Sequence, residues 1–512
     1  MMDKKLKIGI NTFEGDVIEG RPSFELTADG GKNLDYAVCH FDPNRFTLDK
    51  ACEMAAEAAE KFKSYGMDFI ANFEFQNFSA DSKGPDGYEW ANRPDGTHLL
   101  NLPARYIEAL KKAGNLVSLM YDEFEHCIIH TNKSIEMAYK FKKIMRAFPL
   151  CKTKNVVEQG EFLSSQLREY FGDLKEKGAP NLCGEHVFPV LYHIFAENGI
   201  TPNFKSQKES YSDVQYAVAA GAAIEYGTEL WNCVDLWYRL TNPGHSPEEM
   251  YNNLVFSYLS GANRVYVESC HAFVTKNEEG GELNDYGKAF LKFSNEYKDK
   301  ERNYDVHDLR PEVAIIRYDD SFWGQNDPIM WRKWLFGNNK IKPDGKSKEY
   351  IRVFNILTHG ETCKNGLSWG RFSPWSLRKH RSFASLNNAV VFDGKVRKEK
   401  LESLKLCFLC GHCISDETLE DVASLVKENG LTAVSAKRFL PENIREKARG
   451  SYCEIKDGKG SWIAVDGFGS SKLRKRVEPF IGSKGEIRLK FENNTVRLRI
   501  SDNGEAFEII EK

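Results

Sequence analysis

Between residues 49 and 65, Ala51, Met54, Ala55, Ala58, Ala59 and Phe62 fall at offsets 0, 3, 4, 7, 8 and 11, which is one face of an α-helix. A face that narrow and that apolar has to pack on a sheet. Short apolar runs that read as strands recur along the chain: KIGIN at 7–11, DFIANFEF at 68–75, LVSLMYDEFE at 116–125, NLCGE at 181–185, PNFKSQKE at 202–209, ELWNCVDLW at 229–237 and RVYVE at 264–268. Helices are predicted between them, over PARYIEALKKAGN, 134–148 and 158–177 among others. The helix before RVYVE is the best bounded, since SPEE at 246–249 is a capping box with Pro247 at the first helical position and Gly261 stands where the helix stops. Strands separated by helices imply parallel pairing through right-handed crossovers. Seven such units, with an eighth at EVAIIRY (312–318), predict a (β/α)8 TIM barrel over residues 1–320.

The pattern changes beyond the barrel. Residues 321–445 open with an aromatic, Gly-rich and basic connection that includes SFWGQND and GRFSPWSLRKHR around the helix KEYIRVFNILTHG. They continue as NAVVFDG, a helix over 397–404, LKLCFLC, the helix SDETLEDVASLVKENG closed by Gly430, and LTAVSA. This alternation predicts a small flavodoxin-like α/β domain. No GxGxxG fingerprint or phosphate loop accompanies it, so no nucleotide and no other cofactor is expected. Residues 446–512 predict a small C-terminal β unit, in which Asn493–Asn494 turns a hairpin within GEIRLKFENNTVRLRIS. Neither solenoid repeats nor low-complexity tracts interrupt the chain.

Composition narrows the function classes. Of 512 residues 41% are hydrophobic and 28% charged, and the net charge of -3 offers no field to recruit nucleic acid or a membrane surface. With no apolar stretch behind the N-terminal lysines and none approaching the ~18 residues of a membrane span, a cytoplasmic protein is expected. Twelve cysteines without a framework fit reduced thiols. Cys410-Gly-His-Cys413 has thiol-oxidoreductase spacing, but Leu409 stands where such sites usually carry tryptophan, and a strand end with small apolar cysteines is expected instead. No second close pair of cysteines or histidines completes a zinc pattern.

Carboxylates mark nearly every predicted strand end: Glu74, Asp122 with Glu123, Glu185, Glu209, Asp235 and Glu268. In a barrel these ends form one mouth, where several buried acids repel one another and stability alone would not select them. Repulsion raises some pKa values and leaves other groups ionised, which places a proton donor beside a carboxylate nucleophile. Glycoside hydrolysis needs that pair. The aromatics Phe73, Tyr121, Trp231, Trp237 and Tyr266 lie beside the acids and suit the apolar faces of sugars. Lys205, Lys208 and Arg239 are placed to neutralise part of the acid cluster.

These residues carry a family resemblance. Strands ending in NLCGEH and RVYVES, fourth and seventh in the forward count, resemble those of clan A glycoside hydrolases, whose acid/base follows strand four and whose nucleophile follows strand seven. NPGHSPEEMYNNLVFSYLSGANRVYV is similar to the late barrel of family 42 β-galactosidases, and 390–434 resembles their second domain, which often mediates trimer contacts. The resemblance implies Glu185 as acid/base and Glu268 as nucleophile of a retaining glycosidase, and the expected cytoplasmic place makes small oligosaccharides or glycosides the expected substrates. Glu74, Asp122, Glu123, Glu209, Trp231, Asp235 and Trp237 would then contact the substrate, and a homo-oligomer is implied. Two departures stand. Gly184 takes the place of the clan's Asn before the acid/base, and alignment by the second domain makes RVYVE strand eight, which moves the roles to Glu123 and Asp235.

Two other classes compete. A metal-dependent hydrolase or isomerase would draw ligands from Asp122, Glu123, Glu125 and His126, with His130, His186 and His193. A non-catalytic carbohydrate-binding barrel fits the Gly184 departure.

Overall fold

The computed structural model describes residues 4–74, 83–90, 100–129, 151–207, 210–240, 244–277, 280–324, 334–362 and 382–512, with the side chains at 126, 238 and 240 excepted. Eight parallel strands close a barrel in chain order: β1 (Lys7–Phe13), β2 (Tyr36–His40), β3 (Asp68–Asn72), β4 (Leu116–Asp122), β5 (Leu182–His186), β6 (Thr201–Ser206), β7 (Trp231–Asp235) and β8 (Arg264–Glu268). Pairing of Ile8 with Val265 and of Ile10 with Val267 seals β1 against β8. The helix Leu48–Ser64 starts at the Thr47 cap and buries Ala51, Ala55, Ala58, Ala59 and Phe62, with the Phe62 ring stacked on Phe69 of β3 at 5.2 Å. Ser246 caps the helix Pro247–Leu259 as expected, accepting the Glu249 amide at 3.0 Å.

The barrel corrects the forward strand count. Strand β2 lies in NLDYAVCH and had no place in that count, because its five residues are buried on both faces and show no alternation. Asp35, just before it, accepts the Ile8 amide at 2.9 Å and ties it to β1. NLCGEH is therefore strand five and RVYVE strand eight. EVAIIRY is not a barrel strand.

EVAIIRY instead supplies β11 (Val313–Arg317), after a small ribbon of β9 (Val274–Thr275) and β10 (Glu282–Leu283). β11 lies inside a six-stranded sheet between β13 (Ala389–Asp393) and β14 (Leu406–Cys410), followed outward by β15 (Thr432–Ala436), β17 (Gly460–Val465) and β16 (Tyr452–Asp457). Its five parallel strands run 2-1-3-4-5 in chain order, the order of flavodoxin-like sheets, and β16 is antiparallel at the edge. A four-stranded sheet joins β12 (Leu386–Asn387), β18 (Glu486–Lys490), β19 (Thr495–Ile500) and β20 (Phe507–Glu511), with Asn493–Asn494 between β18 and β19.

The barrel helix Ser212–Tyr226 packs on β13 of the second sheet so closely that a Cβ on Gly221 would collide with the Val391 carbonyl. Of the CGHC motif, Cys410 ends β14 in the core and Cys413 is half-buried. Burial pushes both thiols up, the reverse of what a reactive thiolate needs.

Candidate active site

Side chains alternate along each strand, so the inward positions of the barrel form layers. The lower layers hold Tyr36, Val38, Ile70, Met120, Cys183, Trp231, Cys233 and Tyr266. Gly9 of β1 makes room there, since a Cβ would strike the Tyr36 ring. Two residues further along each strand the chemistry changes. Asn11, His40, Asn72, Asp122, Glu185, Lys205, Asp235 and Glu268 give one polar side chain per strand at the C-terminal ends. All but Glu268 are buried.

Lys205 is the hub of this ring. Its Nζ lies 2.6 Å from Glu185 Oε1, 2.9 Å from Glu268 Oε2, 3.3 Å from Glu123 Oε1, and 3.4 Å from both Asp122 Oδ1 and Asp235 Oδ2. The side chain has no exposed surface. Burial alone would push the ammonium down, but Asp122, Glu268, Glu123 and Asp235 together hold it well above the usual lysine range. It stays charged, which rules it out as a neutral amine nucleophile at ordinary pH.

The remaining bonds fix each acid. The Asn72 amide donates to Asp122 Oδ2 at 2.9 Å. Glu185 also accepts from the Tyr266 hydroxyl, which in turn accepts from Asn203 at 3.0 Å. Asp235 Oδ1 accepts the Trp237 amide at 2.7 Å. The Cys233 thiol is 3.8 Å from Glu268 Oε2. Glu123, immediately after β4, has a φ of 49°. Such a left-handed carboxylate residue costs on the order of 1–3 kcal/mol and recurs where side chains are aimed for chemistry.

Glu74 stands apart. Its Oε2 is 3.4 Å from His40 Nδ1, and burial, reinforced by Asp122, Glu268 and Glu123, pushes its carboxyl up to about 9. Burial also pushes the His40 ring down to about 4. At neutral pH this contact therefore joins two uncharged groups, and Glu74 is a carboxylic acid that can donate a proton.

The structure brings together Glu74, Asp122, Glu123, Glu185, Asp235 and Glu268, while Glu209 and Lys208 lie outside the described residues. Trp237 is 68% exposed, and its backbone amide donates to Asp235. The expectation for Trp231 is corrected: it opens β7 at the far end from Asp235, fully buried, with its indole on Glu229 at 2.6 Å. Phe73 and Tyr121 pack on aromatic neighbours behind the strands, and Tyr266 serves the ring only through its hydroxyl.

The metal set foreseen around YDEFEH divides. Glu125 turns away to accept the Val187 and Phe188 amides, and burial drives its carboxyl well up. His186 faces the Val190 carbonyl and His193 the Val391 carbonyl. His130 and the His126 side chain lie outside the described residues. His40, Glu74, Asp122 and Glu268 do bring one donor atom each within 4.8 Å of one another, but two of the four already touch Lys205. Sequence reasoning missed Asn11, His40, Asn72 and Asn203; His40 and Asn72 were detectable as the strand-end positions of β2 and β3.

No protein-family model matches the chain, and no curated protein sequence matches it. Solved structures do. The polyextremophilic β-galactosidase of the Antarctic haloarchaeon Halorubrum lacusprofundi aligns with a TM-score of 0.55 at 11% identity, over 97% of this chain and 94% of that one. The GH42 β-galactosidase Gan42B gives 0.54 at 10% identity over 98% and 93%. The GH42 exo-carrageenase of Bacteroides ovatus gives 0.50 at 10% identity over 98% and 77%. The likeness is one of fold. What this chain shares with them is a parallel eight-stranded barrel extended by further sheets. No helix among the described residues is long and apolar enough to cross a membrane.

Proposed function

We propose that the protein is a retaining glycoside hydrolase acting on small oligosaccharides or glycosides, with Glu123 as acid/base and Asp235 as nucleophile. The observation that carries this reading is the convergence of five strand-end carboxylates on one nitrogen. Because Glu123 and Asp235 lie 3.3 and 3.4 Å from Lys205 Nζ, their nearest oxygens are no more than about 7 Å apart. That bound accommodates the ~5–5.5 Å of a retaining pair, which supports the reading.

The roles follow the observed strand order. Glu123 follows strand four and Asp235 ends strand seven, the places that hold acid/base and nucleophile in the clan this barrel resembles. Asp122 stands where that clan has Asn, so the earlier departure at Gly184 no longer bears on the acid/base. Glu185, on strand five, is enclosed between Lys205 and Tyr266 and serves as floor of the site. Trp237 offers a sugar platform, and the β-galactosidases of like fold make β-galactosides the first substrates to test. A cytoplasmic place belongs to the same proposal, as does a homo-oligomer, which rests on the resemblance alone.

One observation favours a second assignment of the nucleophile: Glu268 is the most exposed of the five acids on Lys205, at 19% of its side chain. Turnover of activated aryl glycosides by Asp235→Gly and Glu268→Gly, with and without azide, separates the two. Loss of activity and formation of a glycosyl azide in Asp235→Gly support the first assignment; the same result in Glu268→Gly supports the second. Full activity in both variants, or sugar binding with no turnover by the native protein, refutes the glycosidase reading.

A further inference from the structure

A lysine ammonium has three N–H groups. Five carboxylate oxygens within 3.4 Å of Lys205 Nζ are more than it can serve by hydrogen bonds, so it acts on this ring chiefly as a point charge. Gathering five or more oxygens around one charge is otherwise the habit of a divalent cation such as Ca²⁺, at ~2.3–2.6 Å. The contacts here are mostly longer, as suits an ammonium. The side chain reaches the centre from β6, so the charge is part of the chain and needs no supply of ions.

We propose that Lys205 is a positioning residue, a tethered cation that holds the five strand-end acids in register and occupies the place a divalent ion would otherwise take. The glycosidase reading enters only through the activity readout below. His40, Glu74, Asp122 and Glu268 show where an ion would enter once the ammonium is gone, since their donor atoms lie within 4.8 Å of one another and two of them lean on Lys205. Asn72 and Tyr266 hold Asp122 and Glu185 in place from the side away from the lysine. The cage should therefore outlast removal of its centre.

The test uses full-length Lys205→Met, Lys205→Ala and Lys205→Arg beside the native protein. Mn²⁺ is titrated by calorimetry and followed by its paramagnetic resonance signal. Lys205→Met is expected to bind one Mn²⁺ at least tenfold more tightly than the native protein, and to lose that binding when Glu268→Gln is added. Lys205→Ala is expected to lose at least 100-fold in kcat with KM changed less, and to recover tenfold or more with n-propylammonium, which matches the three carbons and nitrogen removed. Native protein that binds Mn²⁺ as tightly as Lys205→Met, in a manner abolished by Glu268→Gln, overturns the proposal, as does a folded Lys205→Met that binds none. Should the neutral variants fail to fold, refolding of Lys205→Met by Mn²⁺ supports the proposal. Lys205→Arg then decides: a folded protein supports it, and loss of folding despite the retained charge overturns it. Mn²⁺ uptake without turnover of any glycoside leaves the tethered cation standing and removes only the glycosidase reading.

Discussion

Glu74→Gln isolates the uncharged carboxyl at the mouth. The folded protein keeps Glu74 protonated up to about pH 9, whereas the ordinary value is 4.5. Between pH 5 and pH 8 the unfolded chain gives up this proton and the folded one retains it. The folded state then holds one more proton, so native stability falls as pH rises, by up to ~1.4 kcal/mol per unit and ~4 kcal/mol over the window. The 25% exposure of the side chain admits solvent screening, which reduces the expected effect to roughly 1–3 kcal/mol. Glutamine copies the shape of the protonated acid without a titrating proton, so Glu74→Gln gains on the native protein by that amount from pH 5 to pH 8. Glu14 and Asp213, both pushed up to about 8 chiefly by burial, titrate in both proteins and cancel in the difference. The assay is urea unfolding followed by tryptophan fluorescence at several pH values. A difference that stays flat across the window, or grows in favour of the native protein, would show that Glu74 is ionised in the folded state and would refute the reasoning.

Two further outcomes follow from exposed and buried extremes. Trp237→Ala is expected to leave the unfolding midpoint unchanged, because the ring is 68% exposed, while raising KM roughly tenfold, ~1.4 kcal/mol of lost stacking on sugar; an unchanged KM in steady-state kinetics removes the platform role. Gly221→Ala forces a methyl against the Val391 carbonyl and is expected to destabilise the protein by ~1–3 kcal/mol in thermal or urea unfolding; a neutral result would mean that the barrel does not seat on β13 as described.

The barrel was legible in the sequence because most of its strands are apolar runs bracketed by capped helices, and Ser246 behaves as its capping box predicted. The exception is β2. Tyr36–His40 is short, wholly buried and without alternation, so that only the turn residues Asp29-Gly30-Gly31 and Asp42-Pro43-Asn44 on either side marked it, and its omission displaced every later strand number by one. That single omission numbered the strands of Glu185 and Glu268 four and seven, where the structure has five and eight. The acids themselves were visible as strand-end residues, and Lys205 as a neutralising charge among them. What a linear pattern does not carry is which acids share a nitrogen, or that Trp231 and Asp235, four residues apart on one strand, lie at opposite ends of the barrel interior. EVAIIRY shows the same limit: an apolar strand does not declare which sheet it joins.

The polar ring draws one member from each of eight strands, and Lys205 meets its acids only when β4, β5, β7 and β8 have all come to stand around β6. A half-formed cylinder would leave a bare ammonium facing apolar walls and carboxylates facing one another. Partly assembled states are thereby penalised in proportion to what they lack, so the cluster rewards only complete closure. Its chemistry and the cooperativity of the barrel's assembly rest on the same buried nitrogen.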